Sequence, residues 1–330
     1  DWGAYYNSTT YKTQCNANDI YINVGYGGYG IYSRYYYANI DECEVNNNLI
    51  NMNHDGFGYG YYNYGYQQRT DMDFYNNTIK LGPWTKGTFS RTSTSYCYYN
   101  YYGRGERRNN TFTMQNKKTG GTKYCVYTNR PNSATYKDNN LWMDPTMPGT
   151  KYYGYYNTSN TNSFNNWTSA AGSAATTTNH EPLFVDNLKT LIPTNPSLVN
   201  AGEVISTVTT DVFGTTRNVT TPDIGAIEFY LDIEVTKVTL TGTSECAGYD
   251  EDVTITLKNN SAFEMPFLST EIYKDGVLLG SAQTSSPVAA GASADVTFNV
   301  VFIGSGTQTV EGRVSGDDNL ANNSSTETID

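Results

Sequence analysis

Residues that could act on a sugar chain are concentrated in one part of the sequence. Asp41, Glu42 and Glu44 form one acidic cluster and Asp71 and Asp73 another, with Arg69, Arg104, Arg107 and Arg108 nearby. A glycoside hydrolase needs a pair of carboxylates. A polysaccharide lyase needs a base, often Lys or Arg, and a cation or other charge to neutralise the substrate's acid group. Glu44, Asp73, Arg69 and Arg107 are the set such an enzyme would use. Glu44 lies four residues before Asn48 and Asp73 four before Asn77, so a stacked fold would put the two acids one above the other. Stacked carboxylates repel unless a cation or an arginine lies between them. Asp41, Glu44, Asp71 and Asp73 therefore read as a Ca2+ site, as an ion-pair ladder or as a solvated charged edge. Asp317 and Asp318, in GDDN, are a second place where Ca2+ could bind. Only two histidines exist. His54, in NHDG, reads as a solvated loop residue and His180 as structural. No Ser-His-Asp order, phosphate loop, CxxC pair or metal-ligand spacing is present.

A different chemistry is suggested by the 31 tyrosines. Most lie in GFGYGYYNYGYQQR (56–69) and YCYYNYYGRGERR (96–108), expected as long aromatic loops between the rungs of a coil. Tyr59, Tyr61, Tyr62, Tyr64, Tyr98, Tyr99, Tyr101 and Tyr102 are the candidate binding residues. In runs of this kind alternate rings point opposite ways. Some would join a stack that stabilises the coil, and an exposed ladder would offer a platform for sugar rings or for another protein.

The elements that must position these residues are announced by a repeat. NNLINM, NNTIKL, NNTFTM and NNLWMD each place an asparagine pair before a short apolar strand, with the second asparagines at Asn48, Asn77, Asn110 and Asn140. A second motif runs with it: GIYSR from Gly30, GYYNY from Gly60, CYYNY from Cys97 and CVYTN from Cys125. Recurrence about every thirty residues is the mark of a solenoid. The expected fold is a right-handed parallel β-helix in which equivalent residues stack at about 4.8 Å. Strand alternation allows one parity inside. The bulkier column, Ile50, Ile79, Phe112 and Trp142, is expected in the core, with Leu49, Thr78, Thr111 and Leu141 on the other face. Asparagine tolerates left-handed corners, and stacked amides hydrogen-bond from rung to rung, so Asn48, Asn77, Asn110 and Asn140 are read as a structural ladder.

Composition agrees with an all-β protein. Charged residues are only 16%, while Tyr, Gly, Asn and Thr dominate. A formal charge of −11 opposes a nucleic-acid partner, and no apolar run is long enough to span a membrane as a helix. The start at Asp1 suits a processed product or a piece of a longer chain. Of five cysteines, Cys97 and Cys125 occupy matching places one rung apart, as a bridge or as a ladder of thiols.

From Lys137 the repeat gives way to KDNNLWM (137–143), SFNNWTS (163–169), HEPLFVD (180–186), PSLVNAG (196–202), then Asp211, Gly214, Arg217 and PDIGAIEF (222–229). This ordered set resembles the C-terminal closure of bacterial parallel β-helix proteins of the pectate-lyase-like superfamily, although Pro196-Ser197-Leu198 alters one familiar element. The resemblance implies final rungs and a cap over the open end, with Arg217, Asp223 and Glu228 structural. From Tyr230 the pattern changes to alternating strands with a two-residue turn at Asp275-Gly276. About seven strands in a hundred residues suggest a β-sandwich. ECAGYDEDVTITLKNNS, IYKDGVLLGS, AAGASADVTFNV and GDDNLANN resemble CARDB-type, immunoglobulin-like adhesion modules of bacterial surface proteins.

The resulting expectation is an all-β chain with a parallel β-helix over 1–229 and an Ig-like sandwich over 230–330. The resemblance implies a non-enzymatic extracellular module of a bacterial surface adhesin or filament, of the Bacteroidetes type exported by type IX secretion and used in gliding. Its partners would be a glycan or surface protein, other modules of the same long polypeptide, or neighbouring copies. The rivals are a carbohydrate-active enzyme on an acidic polysaccharide and a purely structural stalk. No cofactor is expected beyond Ca2+.

Overall fold

The computed structural model describes residues 12–35, 40–54, 56–65, 70–82, 92–102, 104–130, 134–173, 176–184, 191–240, 249–261, 264–302, 307–314 and 317–329. The chain divides into two compact units, residues 1–228 and 229–330.

The first unit is a β-solenoid with three strands per turn, numbered here in chain order. One sheet stacks β1 (Lys12–Asn16), β4 (Ile40–Asn46), β7 (Thr70–Tyr75), β10 (Gly105–Arg108) and β13 (Ala134–Lys137). A second stacks β2 (Asp19–Val24), β5 (Leu49–His54), β8 (Thr78–Leu81), β11 (Thr111–Met114) and β14 (Asn140–Met143). The third stacks β3 (Gly28–Tyr35), β6 (Gly58–Gly65), β9 (Ser95–Tyr102), β12 (Thr122–Arg130) and β15 (Thr150–Tyr156), with the short antiparallel β16 (Ser159–Thr161) at its edge. All other pairings within these sheets are parallel, with a register shift between Ile40 and Cys43 where β4 meets β7. The third sheet is where the sequence suggested loops. The tyrosine-rich segments are β6 and β9, because in-register aromatic rows stabilise strands.

The corner between the first and second sheets explains the asparagine repeat. Ala17, Asn47, Asn76, Asn109 and Asp138 hold the left-handed conformation, with φ of 56°, 55°, 53°, 55° and 49°. The residue after each forms the ladder. Asn18 Nδ2 donates to Asn48 Oδ1 (2.7 Å), Asn48 to Asn77 (2.8 Å), Asn77 to Asn110 (3.0 Å) and Asn110 to Asn139 (2.9 Å). The last member is thus Asn139, not Asn140, and Asn18 begins the series. KDNN places Asp138 in the left-handed corner, so the fourth repeat is offset by one residue from the alignment of its asparagine pair. Asn140 instead accepts from the His180 amide and donates to its carbonyl. The same offset moves the core. Ile50, Ile79 and Phe112 are joined inside by Leu141, which pairs with Phe112, while Trp142 pairs with Thr113 on the opposite face.

Helix α1 (Phe164–Ala171) closes the end of the core. Ser163 caps its N-terminus and Gly172, left-handed at φ 66°, its C-terminus. Fully buried Trp167 packs edge-on against Tyr136 (5.4 Å) and Tyr156 (5.8 Å). The rest of the expected cap does something else, running back along the left-handed corner as a strap. Asn109 Nδ2 donates to the Glu203 carbonyl, Asn76 Nδ2 to the Asp223 carbonyl and Asn47 Nδ2 to the Thr210 carbonyl. Arg217 donates to Glu228 (2.9 Å) and to Asn47 Oδ1 (2.8 Å), and Glu228 also accepts from the amides of Asn218 and Asp223. Gly225, at φ 118°, lies where a Cβ would meet Thr78 Oγ1 at 2.7 Å. The motif-like acids and arginine of this segment therefore fasten the strap.

The second unit is an antiparallel sandwich. One sheet has the order β17 (Ile233–Leu240), β18 (Tyr249–Asn259), β21 (Ser293–Phe302). The other runs β20 (Val277–Gln283), β19 (Ser269–Lys274), β22 (Gln308–Arg313), β23 (Ser324–Ile329). Asp275 and Gly276 turn between β19 and β20 with φ of 47° and 77°, as a two-residue hairpin requires. Asp317 and Asp318 lie between β22 and β23. Their carboxylates accept from the amides of Ile233 (2.8 Å) and Leu231 (2.7 Å) and so tie down the strand entry.

Candidate functional site

The third sheet carries a double file of tyrosines on its outer face. In each turn two consecutive residues point inward: Gly30 and Ile31, Gly60 and Tyr61, Cys97 and Tyr98, Cys125 and Val126. A Cβ on Gly60 would lie 2.2 Å from Ile79 Cγ2, so this side faces the core. The tyrosines before and after each inward pair therefore both emerge on the outside. One file is Tyr29, Tyr59, Tyr96, Tyr124 and Tyr152, with successive ring centroids 5.0, 4.8, 5.2 and 5.3 Å apart. The other is Tyr32, Tyr62, Tyr99, Tyr127 and Tyr155, spaced 5.0, 4.9, 4.8 and 4.4 Å and parallel within 8°. Between files the rings meet edge to face, at 81°, 89°, 75° and 87° in the first four turns. The result is a herringbone lattice of ten rings, each contact of the favourable offset or T-shaped kind.

The three middle rings of each file turn both faces toward neighbours above and below, leaving their rims outermost, although Tyr124 is itself buried and donates its hydroxyl to Asn160 Oδ1 (3.0 Å). Tyr29 and Tyr32, in the first described turn, are 38% and 37% exposed. Several of these phenols have raised pKa values. Burial, then the neighbouring Tyr29 hydroxyl, pushes Tyr59 up to about 12. Burial, then tyrosine neighbours, pushes Tyr62, Tyr124 and Tyr127 up to about 12 as well, and Tyr96 and Tyr99 also rise.

The candidate binding residues divide into two groups. Tyr59, Tyr62 and Tyr99 belong to the lattice, and Tyr64 and Tyr101 extend it as a short third stack at 4.9 Å with Tyr102 edge-on to Tyr101. Tyr61 and Tyr98 do not. They stack on each other at 5.6 Å in the core, against Phe74, and are fully buried. Seven lattice members outside the candidate set are Tyr29, Tyr32, Tyr96, Tyr124, Tyr127, Tyr152 and Tyr155. A signal for them lies in the sequence: YGIY, YGYY, YCYY, YCVY and YYGY share the pattern Y-x-x-Y, once per turn. Strict strand alternation puts residues three apart on opposite faces, and this hides the pattern's meaning.

The acidic and basic candidates do not form one centre. Glu44 and Asp73 pair across adjacent turns as the spacing suggests. Glu44 accepts from Gln14 Nε2 (3.0 Å), and Asp73 accepts from the Glu106 amide (3.1 Å). Tyr75 donates to Glu106, and Arg108 bridges Glu106 (2.7 Å) and Glu203 (3.1 Å). Asp71 is exposed and its backbone bridges that of Arg104. Arg107 is inside the coil. It is fully buried, with Nε donating to the Tyr98 hydroxyl (2.9 Å), NH1 to the carbonyls of Arg104 and Gly105, and its guanidinium over the rings of Tyr98 and Tyr136. Alternation decides this, since Glu106 and Arg108 on either side face out. Arg69 and the side chain of Asp41 lie outside the described residues. Among the described residues, no group of three or more His, Cys, Asp or Glu is arranged to hold a metal ion.

His54 is fully buried at the end of β5, where Nδ1 lies 3.1 Å from the Gly56 carbonyl and Nε2 3.3 Å from Asn116 Nδ2. Burial, with the Lys118 charge beside it, lowers its pKa to about 3, so it is a neutral core group and not a loop residue. Cys97 and Cys125 are unbridged, with Sγ atoms near the carbonyls of Thr113 and Trp142, and Cys15 and Cys43 form no disulfide either.

No protein family and no curated protein matches the chain. Among solved structures, it is similar to the crystal structure of a CARDB domain from Pyrococcus furiosus in complex with di-metal ions. The match has 17% identity, covers 30% of this chain and 87% of that domain, and has a TM-score of 0.26. It is also similar to a GH3 beta-glucosidase of Bifidobacterium adolescentis, at 20% identity over 31% of this chain and 17% of that enzyme, with a TM-score of 0.23.

Proposed function

We propose that this chain is a non-catalytic binding module that displays the tyrosine lattice to a glycan or to another protein. The observation that carries the reading is the double file itself, ten rings on the outer face of one sheet. Burial of Arg107 supports it further, because one of the two arginines nominated for a lyase lies where no substrate reaches. Rows of aromatic rims give large contact area with little side-chain entropy to lose, since each ring is already ordered by its neighbours. An extracellular, bacterial-surface setting is supported by the likeness of the sequence to exported adhesin modules. The test compares the whole chain with a Tyr62→Ala/Tyr99→Ala variant on immobilised glycans and on surface-protein extracts. Binding should fall about tenfold or more with the lattice variant and hold with Glu44→Ala/Asp73→Ala. Cleavage of an acidic polysaccharide that disappears with the acidic variant would replace this reading with the enzymatic one.

A further inference from the structure

We infer that the lattice takes a neutral, regularly repeating polyhydroxyl chain, a polysaccharide laid along the coil axis and held by the rims of the tyrosines. This rests on the proposed role of the lattice as a binding face and adds the chemistry of its ligand.

The usual contact between a sugar and an aromatic side chain uses a ring face. Along these two files the faces are already turned to other tyrosines, 4.4 to 5.3 Å away. What remains outward is a phenol hydroxyl with its flanking C–H edge. A phenol both donates and accepts, as do the hydroxyls of a sugar, so rim recognition suits a ligand made of hydroxyls.

The second constraint is repetition. The same pair of rings recurs in five successive turns, with the Tyr124 hydroxyl turned to a neighbouring side chain, Asn160. A compact ligand would touch one turn and leave the others idle. An extended polymer meets equivalent rims turn after turn, and individually weak contacts then add through effective concentration.

The third is charge. Phenol rings carry no charge at neutral pH, and the formal charge of the whole chain is −11, which repels anionic polymers at long range. The two lysines beside the far end of the first file are turned to their own backbone. Lys123 Nζ donates to the Pro148 carbonyl (2.8 Å), and Lys151 Nζ to those of Pro145 (2.8 Å) and Met147 (3.3 Å). Arg34, beside Tyr62, lies over the Tyr64 ring (5.7 Å) and is followed in the next turn by Tyr64 itself, so this cation does not repeat along the file as a polymeric anion would require.

The experiment uses the whole chain with soluble hydroxyethyl cellulose, polygalacturonate and chitosan, and with neutral β-glucan oligosaccharides of increasing length. Three chains are compared: wild type, Tyr62→Phe/Tyr99→Phe/Tyr127→Phe, which keeps the rings and removes hydroxyls, and Tyr62→Ala/Tyr99→Ala, which removes rings. The neutral polymer should bind best and with little dependence on salt. Affinity should climb with oligosaccharide length and level off at about five units, one per turn. The Phe variant should melt like the wild type yet bind about tenfold or more weakly, since several hydroxyl hydrogen bonds are lost. Preference for a charged polymer, a plateau at one or two sugars, unchanged affinity of the Phe variant, or binding to none of the glycans would each overturn the inference. If the chain binds only a protein and the Ala variant abolishes that, the ligand assignment falls while the binding face stands. If the Ala variant leaves binding of every partner intact, the binding face itself falls.

Discussion

In the coil, residues meet their own kind. Asn77 lies between Asn48 and Asn110, Tyr99 between Tyr62 and Tyr127, and Ile79 between Ile50 and Phe112. In the sandwich the antiparallel pairing joins unlike residues: Val253 faces Leu240 and Phe298, and Leu257 faces Val235 and Ala294. The comparison teaches where cooperativity resides. A coil position is one link of a column, so its loss is felt by the turns on both sides. A sandwich position is one of many distinct contacts, and its loss stays local.

The largest test of that contrast is in the two cores. Phe112→Ala should destabilise the coil by about 3–5 kcal/mol through cavity formation and loss of the aromatic contacts with Phe74 and Tyr98. Leu257→Ala, equally buried in the sandwich, should cost about 2–4 kcal/mol. Denaturant melts resolve the two if each unit gives its own transition, and a larger loss from Leu257→Ala would break the comparison.

One residue type isolates the column effect more cleanly. Asn77→Ala takes the acceptor from the buried Asn48 backbone N–H, removes one bond of Asn48 Nδ2 and removes the bond donated to the Val45 carbonyl, for about 3 kcal/mol. Asn259, buried in the sandwich, donates to the Val288 carbonyl and accepts from the Ser261 amide. Its alanine variant should lose about 1–2 kcal/mol. The double variant Asn77→Ala/Asn110→Ala should cost less than the sum of its singles, because the two amides already share one bond. Strict additivity would show that the ladder is a set of independent caps.

An effect spread over several pH units, and so smaller at any one step, comes from His54. His54 has a folded pKa of about 3 against an ordinary 6.5, so it takes up its proton more readily when unfolded. Its stabilising contribution is whole above pH 6.5 and is lost as pH falls toward 3, at about 1.4 kcal/mol per unit. Melts of wild type and His54→Gln across that range should diverge in slope, and parallel curves would mean that the imidazole is protonated in the fold. Smallest of all, Tyr62→Phe should alter stability by less than about 0.5 kcal/mol, because stacking and not the hydroxyl holds the ring.

Much of the coil is legible in one chain, because a column needs the same residue at the same place in each turn. The ladder through Asn48, Asn77 and Asn110, the core residues Ile50, Ile79 and Phe112, and the Glu44–Asp73 pair all follow from spacing. Spacing fails at Asp138, where a residue other than Asn takes the left-handed corner and moves Asn139 and Leu141 into the places expected of Asn140 and Trp142. It fails again for Tyr61 and Tyr98, since two inward residues in a row break the alternation on which the outward assignment depended. The segment 199–228 shows a third kind of limit. Its residue pattern marks closure, but the corner it fastens to is visible only when Asn47, Asn76 and Asn109 stand in a row.

By itself, then, the sequence determined that the chain coils in turns of about thirty residues, that asparagine sets a corner, and that a strand-and-turn module follows. These depend on local preference and on periodicity, which any single chain displays. The tertiary structure alone decided which rings face water, that Arg107 and His54 are interior, and that the tyrosines form one lattice. Those outcomes depend on where consecutive turns bend and on what lies across the core, and neither is encoded at short range.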